Sequence, residues 1–249
     1  MKQNLLMGLV GGLTALFSLV AFAEPAADYA REKKWADEVV PGLVVGDPVY
    51  LQTPRGHHKF LALFTPVEGH KAAIVVHGMG IHPDWGMIGT LRTELADRGF
   101  ATLSIQMPVL AADAQSQDYP PTFPEAAERI AQAVEFLKAK GYTQVAIVSH
   151  SMGSRMSHAY LVGKPDKAVK SWASLGLQLD DYDKLKLPIL DVYGDNDLPP
   201  VLAGAAKRKH SLAASHSRQV VIPHADHFYT GHEGEMVDTV AAFLNDTLK

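Results

Sequence analysis

Short continuous apolar runs alternate along the chain with segments in which apolar residues recur every three or four positions. The continuous runs predict β-strands at 49–53, 60–65, 72–76, 101–105, 144–148, 169–175, 189–193 and 219–222. Helical spacing is clearest in three sets: Met87, Leu91 and Leu95; Ile130, Val134 and Leu137; and Met236, Val240, Phe243 and Leu244. Strands alternating with helices favour a mostly parallel central sheet with helices on both faces, because parallel strands need crossover connections.

The first two predicted strands are close enough in the chain to form a hairpin. Pro54-Arg55-Gly56 lies between them and is typical of a turn, which predicts an antiparallel N-terminal edge. The stretch from Leu177 to Leu187 is too short for a large cap domain. We therefore expect one α/β domain over 48–249, preceded by an irregular arm at 24–47.

Residues 1–23 have the three parts of a secretory signal. Lys2 supplies the positive start, an apolar run extends from Leu5 to Phe22, and Ala21-Phe22-Ala23 is a small-x-small cleavage site. We expect cleavage after Ala23 and export to the periplasm or the medium, with no stable membrane anchor on the mature chain. The alternative is an uncleaved anchor, because the run is close to the shortest length that spans a bilayer.

Composition excludes several kinds of site. The chain has no cysteine, which rules out disulfides, thiol nucleophiles and cysteine-based metal sites. A net charge of −4 does not favour nucleic-acid binding, which needs a basic surface. Because no nucleotide-binding glycine motif and no H-E-x-x-H occur, we expect neither a cofactor nor a metal. The alternative is a metal held, together with aspartates, by His77 and His82 or by His224, His227 and His232.

The most informative motif follows the predicted strand at 144–148. Ser149-His150-Ser151-Met152-Gly153 places a serine between two small residues where a strand turns into a helix. Such a turn pushes the middle side chain out of the backbone and needs small neighbours on both sides. The N-terminus of the helix also stabilises a developing negative charge. Ser151 is therefore the candidate nucleophile; the alternative is that it only caps the helix.

A serine nucleophile needs a base, and the base needs a carboxylate that orients it. His224 and His227 follow the last predicted strand, and we prefer His227 because the entry to the final helix lets it reach back to Ser151. Asp195 and Asp197 follow the preceding strand, and Asp197 is preferred.

Two other carboxylates fit less well. Asp191 lies inside the strand pattern, where a structural position in the interior is expected. Asp226 is next to His227 in sequence, and adjacent loop residues rarely face each other productively. The chain order is thus serine, aspartate, histidine, each at the end of a different strand.

With these motifs in this order, the sequence resembles the α/β hydrolases over nearly all of the chain after the predicted signal. The resemblance rests on Val75-Val76-His77-Gly78-Met79-Gly80, Ser149-His150-Ser151-Met152-Gly153, Gly194-Asp195-Asn196-Asp197 and Ala225-Asp226-His227-Phe228. It implies an α/β-hydrolase fold and a catalytic triad of Ser151, Asp197 and His227. It also implies an oxyanion hole formed by the backbone N–H groups of Met79 and Met152.

Several neighbours of these motifs are candidates for lining the site. Gly78 and Gly80 flank Met79, and His150 precedes the serine. Ile81-His82-Pro83-Asp84-Trp85 is unusual for the family and is similar to an uncharacterised exported branch of it. His82, Asp84 and Trp85 could line the site, or they could only pin the loop. Ser149 also departs from the glycine that the family most often has there.

The resemblance implies an exported serine hydrolase that cleaves a carboxylic ester or a related acyl bond through an acyl-enzyme. One alternative is an acyltransferase with the same triad, and another is a binding protein that keeps the fold without catalysis. The substrate would be a small-molecule or lipid-like acyl compound. The loop at 106–124, which contains Tyr119 and Phe123, has the length and proline content of a segment that covers a site.

Overall fold

The computed structural model describes residues 27–55 and 57–249. The predicted signal peptide lies outside the described residues. The strands form one 8-stranded sheet in the order β1-β2-β4-β3-β5-β6-β7-β8. Their bounds are β1 Asp47–Gln52, β2 Lys59–Thr65, β3 Lys71–Val76, β4 Ala101–Ile105, β5 Gln144–His150, β6 Val169–Leu175, β7 Ile189–Gly194 and β8 Arg218–Ile222.

The sheet is parallel except at its N-terminal edge. β1 pairs antiparallel with β2, and β2 pairs antiparallel with β4. All the other neighbouring strands are parallel. The predicted hairpin and the predicted mostly parallel sheet are therefore confirmed.

Helices cover both faces of the sheet. They are α1 Tyr29–Val39, α2 Gly86–Asp97, α3 Phe123–Ala139, α4 Met152–Leu161, α5 Pro199–Ser211 and α6 Glu233–Thr247. Alternate side chains of a strand point to opposite faces. Ile74 belongs to the same core cluster as Ile130 of α3, whereas Val75 belongs to a second cluster with Leu91 of α2 and Val240 of α6. Because both faces of β3 are buried, all of its residues after Lys71 are apolar.

The prediction of an irregular arm at 24–47 is wrong for Tyr29–Val39, which form the helix α1. The Asp28 side chain accepts a hydrogen bond from the backbone N–H of Arg31 and so caps the helix. The buried residues of α1 are Glu32 and Ala36, which give no apolar stripe. Ala36 packs with Leu61 and Leu63 of β2, but one charged and one small residue at the buried positions give too weak an apolar pattern to predict a helix.

An ion pair fixes α1 to the domain. Arg129 of α3 is fully buried and donates to both carboxylate oxygens of Glu32, each at 3.0 Å. Arg129 also donates to the carbonyl of Gln106 at 3.0 Å, and His58 lies 3.2 Å from Glu32. These contacts join α1, α3, the hairpin and the segment after β4.

Two connections bear on the site. Residues 176–188, between β6 and β7, contain no helix or strand, in keeping with the absence of a large cap domain from the described chain. The loop after β4 contains two short 3-10 turns, Ser116–Asp118 and Pro120–Thr122, and ends where α3 begins at Phe123. Across the described ranges, the helices are all too short or too polar to cross a membrane.

Replacing Arg129 with methionine would leave Glu32 as a buried charge without its partner. We expect Arg129→Met to lower the free energy of unfolding by about 3–5 kcal/mol, measured by chemical denaturation. Lys33→Met is the matched control, because Lys33 pairs with Asp37 on the surface of α1 and such pairs contribute less than about 1 kcal/mol. Equal effects of the two substitutions would show that the buried pair does not hold α1.

Candidate active site

Ser151 lies on the sharp turn between β5 and α4. Its backbone has φ 55 and ψ −120, a conformation that costs a non-glycine residue roughly 1–3 kcal/mol. A Cβ atom at position 153 would collide with the backbone carbonyl of His77, so only glycine lets α4 approach the end of β3. The small residue two positions after Ser151 is thus needed for close packing.

The departure at Ser149 from the usual glycine has a local explanation. The Ser149 hydroxyl accepts a hydrogen bond from the indole N–H of Trp172 at 2.7 Å. It also lies 3.2 Å from the hydroxyl of Ser154. The serine is fully buried and ties β5 to β6 and α4 directly under the turn.

Ser151, His227 and Asp197 form a continuous chain of hydrogen bonds. Nδ1 of His227 lies 2.6 Å from Oδ1 of Asp197, and Nε2 of His227 lies 2.9 Å from Oγ of Ser151. A carboxylate only accepts hydrogen bonds, so Nδ1 carries the proton and Nε2 is free to accept the serine proton. His227 and Asp197 are both buried, which strengthens these interactions relative to water.

The other acidic candidates have different partners. Asp191 is fully buried and forms an ion pair with Arg208 at 3.0 Å. Asp195 accepts a hydrogen bond from the backbone N–H of His224 at 2.6 Å. The structure therefore brings Asp197 to His227, while Asp191 and Asp195 stabilise the segments around it.

Asp226 organises the loop that carries His227. Its Oδ1 accepts the backbone N–H groups of Phe228 and Thr230 at 2.9 and 3.0 Å. The hydrogen bond from the Thr230 backbone is the largest cause of the lowered pKa of Asp226. The carboxylate is thus held in its charged form as a cap of this turn.

Gly176, which the sequence reasoning did not single out, packs against the His227–Asp197 pair. It follows β6 with φ +59, and a Cβ atom there would lie 2.9 Å from Cε1 and 3.0 Å from Nδ1 of His227. Among the sequence features, only its place directly after a strand end could have suggested this position.

The loop after β3 lies beside the serine. A Cβ atom at Gly78 would lie 3.2 Å from Cβ of Ser151, so the backbone of this loop reaches the nucleophile closely. The N–H groups of Met79 and Met152 form no hydrogen bond with any other group in the described chain. Both N–H groups are therefore available to a substrate oxygen.

His77 holds this loop in place. Its Nδ1–H donates to the carbonyl of Gly78 at 2.8 Å, and its Nε2 accepts the backbone N–H of Met107 at 2.9 Å. Burial lowers the pKa of His77 to about 3, so the imidazole is neutral at ordinary pH. It connects the ends of β3 and β4 without adding a charge to the site.

The segment after Gly80 both pins the loop and borders the site. Asp84 accepts a hydrogen bond from Arg92 of α2 at 2.6 Å, and the His82 ring lies 5.8 Å from the Trp35 ring of α1. Burial lowers the pKa of His82. Trp85 instead lies with its ring 5.1 Å from that of Phe228, the neighbour of His227.

His150 contacts the base directly. Its Nε2 lies 2.8 Å from the backbone carbonyl of His227, and the two imidazole rings are 4.7 Å apart. Burial lowers the pKa of His150 to about 3. No group of three or more side chains suited to hold a metal occurs in residues 27–55 and 57–249.

The sequence is similar to a described protein family over part of its length. A family described as a protein of unknown function (DUF3530) matches residues 50–127. A comparison with curated protein sequences finds no match.

Solved structures of hydrolases superimpose on most of the chain. Dienelactone hydrolase from Anabaena variabilis has a TM-score of 0.67 and 20% identity, covering 82% of this chain and 99% of its own. Esterase Pf2001 from Pyrococcus furiosus has a TM-score of 0.64 and 15% identity, covering 83% and 98%. Est1E from Butyrivibrio proteoclasticus has a TM-score of 0.62 and 18% identity, covering 80% and 98%. This chain therefore has the α/β-hydrolase fold.

Proposed function

We propose that this protein is a serine hydrolase that cleaves a carboxylic ester or a related acyl bond through an acyl-enzyme. The observation that carries the proposal is the hydrogen-bonded chain from Asp197 through His227 to Ser151. The superimposed structures are hydrolases and esterases, which supports hydrolysis of ester bonds in general.

The proposed reaction begins with attack of Ser151 Oγ on the acyl carbon while Nε2 of His227 takes the hydroxyl proton. Asp197 stabilises the resulting imidazolium through Nδ1–H. The N–H groups of Met79 and Met152 donate to the oxyanion, and each such donor can contribute roughly 3 kcal/mol. His227 then returns its proton to the leaving alcohol oxygen as the ester C–O bond breaks.

The second half releases the acid. Water attacks the acyl carbon of the ester on Ser151 and loses a proton to Nε2 of His227. The bond to Ser151 Oγ then breaks, and His227 returns the proton to that oxygen. Every step uses the same pair of hydrogen bonds, so no cofactor is required.

We also propose that the protein works outside the cytoplasm. The support is the positive start, the apolar run and the Ala21-Phe22-Ala23 site at residues 1–23. Cleavage after Ala23 would leave Asp28, the cap of α1, close to the new N-terminus.

Asp197→Asn should lower kcat by about 10⁴-fold, because the amide favours the wrong tautomer of His227. Ser151→Ala should abolish both hydrolysis of 4-nitrophenyl acetate and labelling by a fluorophosphonate. The matched control is Asp195→Asn on the same loop, which should keep kcat within about threefold because Asp195 contacts His224 rather than the base. Hydrolysis that persists in Ser151→Ala would disprove the mechanism.

Gly176→Ala should lower kcat by at least about 100-fold, since the new methyl group would displace the His227 ring and small misplacements of a base have effects of this size. Gly141→Ala serves as the control: it has φ +95 but no atom within 4 Å of the added Cβ. In both variants an alanine has to adopt a positive φ, which strains the backbone. A comparable loss of activity in Gly141→Ala would therefore show that strain, and not displacement of the His227 ring, causes the effect.

A further inference from the structure

Large apolar side chains are exposed at the segments that carry the candidate machinery. Met79, Leu198, Leu202 and Phe228 are 42%, 42%, 38% and 41% exposed. Met79 belongs to the proposed oxyanion loop, Leu198 follows Asp197, and Phe228 follows His227. The turns that carry Met79, Leu198 and Phe228 follow β3, β7 and β8, whose parallel strands end at the same edge of the sheet. Exposed apolar side chains grouped at one edge mark binding surfaces in soluble proteins.

Local contacts hold these side chains at the site. Oδ1 of Asp197 accepts the backbone N–H of Leu198 at 2.6 Å, which fixes Leu198 beside the acid. Leu202 lies one helical turn further along α5, with its N–H donating to the carbonyl of Leu198 at 3.2 Å. The two leucines therefore lie on the same face of the helix.

An aromatic pair, Trp85 and Phe228, lies beside the base. The Phe228 ring lies 5.3 Å from the His227 ring and 5.1 Å from the ring of Trp85. Trp85 is partly buried and packs against the core below α2, so it supports Phe228 from behind. Aromatic side chains supported in this way lose little conformational freedom when a ligand binds.

We propose that Met79, Trp85, Leu198, Leu202 and Phe228, the apolar rim, bind an aliphatic or aryl part of the substrate next to the scissile ester. The inference rests on the proposed function and adds to it the substrate class, which is apolar esters rather than esters of sugars. Binding of an apolar group removes the exposed rim from water at the moment when the ester carbonyl reaches Ser151.

The test is a series of 4-nitrophenyl esters from acetate to octanoate. A fully buried methylene changes binding by about fourfold, so kcat/KM should rise with acyl length in the unaltered protein. Phe228→Ala and Leu198→Ser should each lower the octanoate-to-acetate ratio of kcat/KM by about tenfold or more. The acetate ester is the internal reference within each variant, because it lacks the chain that the rim would bind.

Val162→Ser is the matched control. Val162 is 38% exposed and follows the C-terminal end of α4, whose other end begins at the nucleophile turn, so the ratio should stay constant. If the protein hydrolyses the esters but all three variants keep the octanoate-to-acetate ratio of the unaltered protein, the rim inference is wrong and the proposed function stands. If neither hydrolysis nor labelling of Ser151 occurs, the proposed function itself is wrong.

His150 supports a second, independent inference. A backbone carbonyl only accepts hydrogen bonds, so the 2.8 Å contact with the carbonyl of His227 requires a proton on Nε2 of His150. Nδ1 is therefore an acceptor; it is buried and has no hydrogen-bond partner within the described chain. It faces Gly78, where a Cβ atom would lie 3.2 Å away.

We infer that His150 is a positioning residue that fixes the backbone of the His227 loop against the nucleophile turn. The hydrogen bond links His150, the residue before the nucleophile Ser151, to the backbone of the base His227. Its neutral state matters as well, because a second imidazolium 4.7 Å from His227 would disfavour protonation of the base.

The test compares two substitutions at the same position. His150→Gln keeps an N–H donor close to the position of Nε2, whereas His150→Leu removes it. We expect His150→Leu to lower kcat by about 10–100-fold with little change in KM, and His150→Gln to recover most of that loss. His158→Leu, which removes a half-buried imidazole from α4, should leave kcat within about threefold.

A split between kcat and KM separates positioning from a general loss of structure, which would lower the thermal midpoint and impair both constants. The inference is wrong if the glutamine and leucine variants have equal kcat, or if KM rises as much as kcat falls.

Discussion

The contact between the backbone of Gly153 and the carbonyl of His77 is the constraint on which the site depends. It lets α4 begin directly against the end of β3, and so it allows the strained conformation of Ser151. The same approach brings the loop at Gly78 beside the serine. A side chain at position 153 would move α4 and Ser151 away from the loop at Gly78, because the helix after β5 would have to start further from the sheet.

The two buried imidazoles beside the triad carry no charge. His77 and His150 are buried, and burial lowers the pKa of each to about 3, so both act as neutral hydrogen-bonding groups. The ionised groups of the interior are paired further away: Asp191 binds Arg208 and also accepts from Tyr182 at 3.0 Å. Because that network joins β7 to α5, it steadies both ends of the turn that carries Asp197.

Strands and most helices could be predicted because two-sided burial leaves continuous apolar runs and because α2, α3 and α6 bury apolar stripes. α1 could not, since its buried positions are held by a charged residue, Glu32, and a small one, Ala36. At the site, Ser151, Asp197 and His227 could be identified because each follows the end of a predicted strand. The supporting positions were not, because the importance of Gly176 and the carbonyl contact of His150 arise only when distant strand ends meet.

The position of α1 connects the start of the described chain to the site. Asp28 donates its backbone N–H to the carbonyl of Val109 at 2.7 Å, and Arg31 donates to the carbonyl of Leu110 at 2.8 Å. A Cβ atom at Gly80 would lie 3.9 Å from the guanidinium of Arg31. The helix thus braces the loop after β4 against the proposed oxyanion loop. The carbonyls of Val109 and Leu110 receive these donors only when α1 is docked, so the position of α1 and the final geometry of the loop after β4 depend on each other.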